Sequence, residues 1–260
     1  MSGVPVRRRV SSLLRHAQGV AHLRRNDIFL TSYPRSGNTW FRLLLLGLLD
    51  PRDHHGVLRD LPDLMPSLGL SDLSEPWTHR QIPRFVKTHL PYRRIVMARP
   101  GRTVLLVRDP RNAALSYYEM ASKSTVRPYA GSFNAFLQDV QRGVPAWSRH
   151  RRSWQGRASV IVRYEELRAT PQETLAATMQ SLDIDVTTDR VRSAVEYARI
   201  DRIRKVEAEE GLDGDRFGPG YVAVGSSRGR DWRVVFGSTE RETYARLAEE
   251  YGIADYPPEP

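Results

Sequence analysis

The period of the apolar positions changes along the chain, and those changes mark out its elements. Ile28-Phe29-Leu30-Thr31 is a short run of branched and aromatic residues. It breaks at Tyr33-Pro34-Arg35-Ser36-Gly37, and Trp40, Phe41, Leu43 and Leu44 then recur at helical spacing toward Leu49. This reads as a strand over 27–32, a loop, and a helix over 40–49. A second short strand is expected over 84–87. A third, over 103–107, is a continuous apolar run of the kind that sits inside a parallel sheet with both faces covered. A fourth is expected over 159–162. Helical patterns follow over 111–121, 171–181, 188–198 and 238–251, with Pro171 suited to a first helical turn. Residues 50–83 carry Pro51, Pro62, Pro66, Pro76 and Pro83 and read as an irregular excursion.

Strands alternating with helices predict an α/β fold: a single domain with a central parallel sheet, helices on both faces and a P-loop-like strand–loop–helix. The expected organisation is a basic N-terminal arm over 1–25, with Leu13, Leu14, Ala17, Val20 and Ala21 near helical spacing, followed by the domain over 26–260. Ligands of such sheets sit at the carboxyl ends of the strands. The loops after 27–32, 84–87 and 103–107 are therefore where chemistry is sought.

Composition narrows the classes. The 260 residues contain no cysteine, which excludes disulfides, thiolate metal sites and a cysteine nucleophile. The apolar run 43–49 is far shorter than the roughly 20 residues of a membrane span. Arg7, Arg8 and Arg9 precede a segment broken by Arg15, His16, His22, Arg24 and Arg25, which does not fit a secretion signal. A cytoplasmic protein without a transmembrane segment is expected. The formal net charge is +10, and only Lys87, Lys123 and Lys205 of the 40 basic residues are lysine. Such a balance fits either an arginine-biased solvated surface or a phosphate-rich ligand.

The first loop, Ser32-Tyr33-Pro34-Arg35-Ser36-Gly37-Asn38-Thr39, has the setting in which backbone N–H groups and a helix N-terminus converge on an anion. It departs from the ATP-binding pattern, because Ser32 replaces the first Gly and Asn38 the lysine. In the second loop the strand delivers Arg108, whose planar fork suits a phosphate, and Ser116 lies eight residues on. An alternative at this point is that Arg108 merely pairs with Asp109 or another neighbouring carboxylate. In the third, Lys87-Thr88-His89-Leu90-Pro91 places an imidazole of unperturbed pKa ~6.5 beside a cation. Asp53-His54-His55 lacks the spacing of a metal site, and no metal is expected.

Together, Tyr33-Pro34-Arg35-Ser36-Gly37-Asn38-Thr39-Trp40, Lys87-Thr88-His89-Leu90-Pro91 and the run from Arg108 to Ser116-Tyr117-Tyr118 resemble the motifs of PAPS-dependent sulfotransferases, PAPS being 3′-phosphoadenosine-5′-phosphosulfate. The resemblance spans roughly residues 27–250. It implies PAPS as co-substrate and PAP as product. Arg35 would contact the 5′-phosphosulfate, Ser36, Gly37, Asn38 and Thr39 would cradle the 5′-phosphate, and Trp40 and Tyr164 would meet adenine. Arg108 and Ser116 would hold the 3′-phosphate. The family's closing R-K-G-x-x-G-D-W falls on Gly225-Ser226-Ser227-Arg228-Gly229-Arg230-Asp231-Trp232, so the clamp's charge would come from Arg228 with Gly229, or from Arg230.

The implied reaction is in-line transfer of a sulfuryl group to a hydroxyl, or an amine, of a small molecule, with His89 as general base and Lys87 and Arg35 neutralising charge. Residues 50–83, 122–150 and 208–227 would surround the acceptor. The alternatives are a divergent P-loop kinase, which Asn38 disfavours, a catalytically inactive sulfotransferase-like binding protein, and a basic nucleic-acid-binding protein favoured only by net charge. No nucleic-acid partner is expected.

Overall fold

A computed structural model describes residues 18–49, 57–78, 83–92, 101–125, 128–210 and 231–258. Four of its apolar runs are strands: β1 (Ile28–Ser32), β2 (Phe85–Thr88), β3 (Arg102–Val107) and β4 (Val160–Arg163). Helices α1 (Asn38–Leu49) and α2 (Val57–Leu64) lie between β1 and β2. Helices α3 (Pro110–Ser122), α4 (Phe133–Gln138) and α5 (Val144–Gln155) lie between β3 and β4. After β4 come α6 (Tyr164–Ala169), α7 (Pro171–Ser181), α8 (Thr188–Tyr197), α9 (Ile200–Glu210), α10 (Trp232–Val235) and α11 (Ser238–Glu250).

The strands pair in parallel in the order β2-β1-β3-β4. Alternation along each strand sends side chains to two cores, as the period of two requires. Ile28, Leu30, Phe85, Val104 and Leu106 face a core built with Phe41 and Leu44 of α1, Leu175 and Met179 of α7 and Val191 of α8. Phe29, Val86, Leu105 and Val107 face the other, with Ala113 of α3, Trp147 and Trp154 of α5 and Leu247 of α11. Both faces of the sheet are therefore covered. Gly47 permits the close crossing of α1 on α8, since a Cβ there would lie 2.8 Å from the Cα of Ala194.

Register decides where the site forms. Thr31 stands opposite Thr88, Ser32 opposite Leu106, and Val107 opposite Arg163. The residues that follow, Tyr33, His89, Arg108 and Tyr164, thus leave neighbouring strands along one carboxyl edge.

The sequence reading needs one correction in this region. Residues 57–64 of the supposed irregular excursion are helix α2, with Pro62 inside it. Val57, Leu58, Leu61 and Met65 repeat at helical spacing and are buried, while Pro62 lies on the exposed side. Burial of that stripe outweighs the missing N–H. Helices α4, α5, α6, α9 and α10 also go beyond what periodicity gave. Of the basic arm, residues 18–21 are helical and Leu23 is buried in the second core. His54 and His55 lie outside the described residues. No helix among the described residues is long and apolar enough to cross a membrane.

Candidate active site

The loop after β1 turns sharply into α1. Arg35 adopts φ 68° and Gly37 φ 91°, both in the left-handed region. For arginine that conformation is uncommon and marks a constrained backbone. Glycine is required two residues later for a further reason, because a Cβ at Gly37 would sit 2.5 Å from Cδ2 of Tyr164. The first turn of α1, at Asn38, Thr39 and Trp40, presents amides that have no partner within the helix. Ser36 and Asn38 are buried, and Ser36 Oγ and Asn38 Oδ1 find no hydrogen-bond partner among the described residues. Buried polar atoms without partners are costly, and a ligand that met them would remove the cost.

Arg108 follows β3 and is 7% exposed. The pairing with Asp109 weighed from the sequence does not form: Asp109 caps α3 by accepting from the backbone N–H of Arg111 and binds the Arg111 guanidinium at 2.8 Å. Arg108 instead donates from Nη1 to the carbonyl oxygen of Arg35 at 3.0 Å, with its guanidinium 4.5 Å above the Tyr164 ring. Trp147 Nε1 holds the Arg108 carbonyl at 3.1 Å. Burial, followed in the opposite sense by Tyr164 and Glu165, leaves the Arg108 pKa lowered from its ordinary value. Arg35 donates from Nε to Ser116 Oγ at 2.9 Å, so Arg35, Arg108 and Ser116 share one cluster although 81 positions separate the first from the last. Trp40 stands edge-on to Tyr164 at 6.0 Å between centroids and donates Nε1–H to the carbonyl of Ala198.

His89 reaches this loop from β2. Its Nδ1 lies 2.8 Å from the carbonyl oxygen of Ser32 and 3.3 Å from Ser32 Oγ, which also accepts from Asn38 Nδ2 at 3.2 Å. A carbonyl can only accept, so Nδ1 carries the proton and Nε2 keeps its lone pair. Loss of hydration, then the charge of Lys87, pushes the imidazole down to about 3 and holds it neutral.

Of the residues singled out in the sequence, Arg35, Ser36, Gly37, Asn38, Thr39, Trp40, Lys87, His89, Arg108, Ser116 and Tyr164 lie at or next to this carboxyl edge. Arg228, Gly229 and Arg230 lie outside the described residues. What sequence reasoning missed is the second ring of buried polar groups. His150 approaches Thr31 Oγ1 through Nε2 at 3.2 Å, and Arg42 lies one turn beyond Asn38 on α1. The only signal for Arg42 was a charge at a position where the apolar pattern of α1 asks for a hydrophobic residue. Among the described residues no three His, Asp or Glu side chains cluster to hold a metal ion.

Arg35, Arg108, Ser36, Asn38 and Ser116 bring cations, hydroxyls and an amide to the loop after β1, a donor set suited to a polyanion. Comparison with known proteins points the same way. The family model described as "Sulfotransferase domain" matches residues 25–217. Sulfotransferase 1 family member D1 of Rattus norvegicus is 23% identical over 193 residues, covering 67% of this chain and 65% of that protein. Sulfotransferase 2A6 of Rattus norvegicus is 20% identical, with 91% and 87% covered. Among solved structures, mouse sulfotransferase SULT7A1 complexed with PAP has a TM-score of 0.64 at 21% identity, covering 92% of this chain and 90% of that one. Retinol dehydratase in complex with androsterone and PAP has a TM-score of 0.66 at 18% identity, with 93% and 85% covered.

Proposed function

The chain belongs to the sulfotransferase domain family, and we propose that it transfers the sulfuryl group of PAPS to a hydroxyl of a small molecule. The observation that carries this reading is the joining of the predicted donor residues, Arg35 to Ser116 through Nε and Arg108 to the Arg35 carbonyl, one strand away from a neutral imidazole. PAPS, when bound, supplies a sulfuryl group whose bond to the 5′-phosphate breaks as the acceptor oxygen bonds to sulfur.

The unpartnered Ser36 Oγ, the Asn38 side chain and the first amides of α1 would hold the 5′ end. Arg108 and Ser116 would hold the 3′-phosphate, the Arg108 fork matching two phosphate oxygens. Tyr164 and Trp40 flank Gly37 and would border the adenine. His89 takes the acceptor's hydroxyl proton at Nε2, while the Ser32 carbonyl keeps the opposite nitrogen protonated. Lys87 and Arg35 offset the charge that develops as the acceptor attacks. Retinol and androsterone bound in retinol dehydratase structures support a small, largely apolar acceptor that carries a hydroxyl. An amine is the second choice.

The test is transfer of labelled sulfate from PAPS by the intact protein and by His89→Ala. We expect a loss of about 10²-fold or more in the variant with PAP affinity retained. Undiminished transfer in His89→Ala would remove the base role. PAP binding with no transfer to any alcohol, phenol or amine would leave a binding protein.

A further inference from the structure

Arg42 is a buried arginine for which the proposed reaction has no use. It lies on α1, is 4% exposed, and burial pushes its pKa down to about 10. Among the described residues no carboxylate pairs with it, and its Nε has no hydrogen-bond partner there. Leu58, Leu61 and Met65 belong to the core cluster that packs against α1, so a methionine or leucine at position 42 would match the surroundings at far lower desolvation cost. A charge retained in such a place needs a partner that an apolar side chain cannot replace.

That partner is the end of α2. Nη2 of Arg42 donates to the carbonyl oxygen of Leu61 at 2.6 Å and to that of Met65. The Leu61 carbonyl also accepts from the Met65 N–H, while the Met65 carbonyl, one residue past Leu64, has no acceptor duty inside α2, and both lie at the negative end of the helix dipole. Helix α2 has no basic residue of its own in its last turn. Arg42 therefore caps α2 from a different helix.

The chain leaves Met65 directly into Pro66, Ser67 and Leu68, which run beside β2. Lys87 N–H donates to the Pro66 carbonyl and Leu68 N–H donates to the Lys87 carbonyl, each at 2.8 Å, with Ser67 and Lys87 bridged in parallel. On its other edge Lys87 is paired with Leu30 of β1. The backbone of Lys87 is thus fixed from two sides, and one of those sides is anchored through Met65 to Arg42. Four residues before Arg42 on the same helix is Asn38, which holds Ser32 Oγ.

We propose that Arg42 is a positioning residue which couples the donor-loop helix to the catalytic strand, by capping α2 and so holding residues 66–68 against Lys87. Arg42 touches neither the donor nor the acceptor in this scheme. Its effect on turnover rests on the sulfotransfer reading above, whereas its effect on the 66–68 pairing does not.

The experiment uses Arg42→Met, which keeps the volume and removes the donors, and Arg42→Lys, which restores a cation able to reach carbonyls. In Arg42→Met we expect single-turnover transfer at saturating PAPS to fall about tenfold or more, PAP affinity to stay within about threefold, and the amides of Leu68 and Lys87 to exchange with deuterium faster by about tenfold. Arg42→Lys should recover most of each. Transfer within twofold of the parent in folded Arg42→Met, or unchanged exchange at Leu68 and Lys87, would overturn the proposal. So would loss of PAP affinity in parallel with transfer. If Arg42→Met does not fold, Arg42→Gln, which removes the charge and the guanidinium fork, decides by exchange: faster exchange at those two amides with unchanged α1 amides upholds the coupling, and unchanged exchange ends it. A parent protein that fails to bind PAP would remove the donor reading and leave the exchange result standing.

Discussion

Two neutral histidines hold consecutive residues of β1, His150 through the Thr31 hydroxyl and His89 through the Ser32 carbonyl. Burial is the main cause that pushes each down to about 3. In the unfolded chain both return to ~6.5. The folded pKa is the lower one, so the unfolded state takes up protons that the native state refuses. This contribution to stability is complete above pH ~6.5 and is lost as pH falls toward about 3, with a limiting slope of about 1.4 kcal/mol per pH unit for each histidine. Denaturant midpoints measured between pH 7 and pH 5 should fall, and His150→Gln should flatten that fall; an equal slope in the variant would show that His150 takes up its proton as readily in the native state as in the unfolded chain. That Arg35, Arg108 and His89 would meet at one edge was legible from sequence because each follows the end of a recognisable strand, and Ser116 lies on the helix after the third. His150 was not legible, since nothing in a lone sequence distinguishes a buried imidazole from a solvated one, and Arg42 left only the single signal of a charge within an apolar pattern, easily passed over in an arginine-rich chain.

At the level of elements, the strand–loop–helix at residues 28–49 was readable because its apolar period switches where Pro34 and Gly37 stand. Helix α2 was not, because five prolines in 34 residues outweigh a four-residue apolar stripe until tertiary burial is known. The same dependence on context makes Gly37 a sharp test of the loop. Its φ of 91° and the 2.5 Å approach of Tyr164 to a Cβ there mean that Gly37→Ala strains the backbone and displaces the ring. A stability loss of about 1–3 kcal/mol is expected, together with weaker PAP binding. In a Tyr164→Ala background the steric part disappears, so a double-mutant cycle should show positive coupling; strict additivity would mean that ring and glycine do not meet. Asp109 tests the adjoining element. Asp109→Ala removes the α3 cap and leaves the buried Arg111 guanidinium without its 2.8 Å partner. About 3–5 kcal/mol should be lost in chemical denaturation, far more than the ~1 kcal/mol of a cap alone. A loss near that smaller figure would mean that Arg111 relaxes to other acceptors, such as the Pro257 carbonyl it already touches.

Across the whole molecule the net charge of +10 has a local meaning that a total cannot convey. Many arginines are exposed and paired along helices, as Arg199 with Asp201 and Arg202 with Glu196. Arg35 and Arg108 instead approach one another at the carboxyl edge of the sheet, where the carbonyl of the first accepts from the second. Besides burial, the Arg35 charge is one of the causes that lower the Arg108 pKa, so the two repel, and a ligand with phosphates at both ends of an adenosine should stabilise the native state more than one with a single phosphate. Saturation to a hundred times Kd adds about 2.7 kcal/mol by mass action, which a thermal-shift titration resolves. PAP should raise the midpoint more than ADP or ATP at equal concentration, and added salt should shrink the difference. Arg108→Lys replaces a two-pronged fork by a point charge. It should therefore diminish the response to PAP while leaving that to adenosine 5′-phosphate nearly intact. Equal losses for both nucleotides would place Arg108 at the 5′ end and dissolve the division of labour between the two loops.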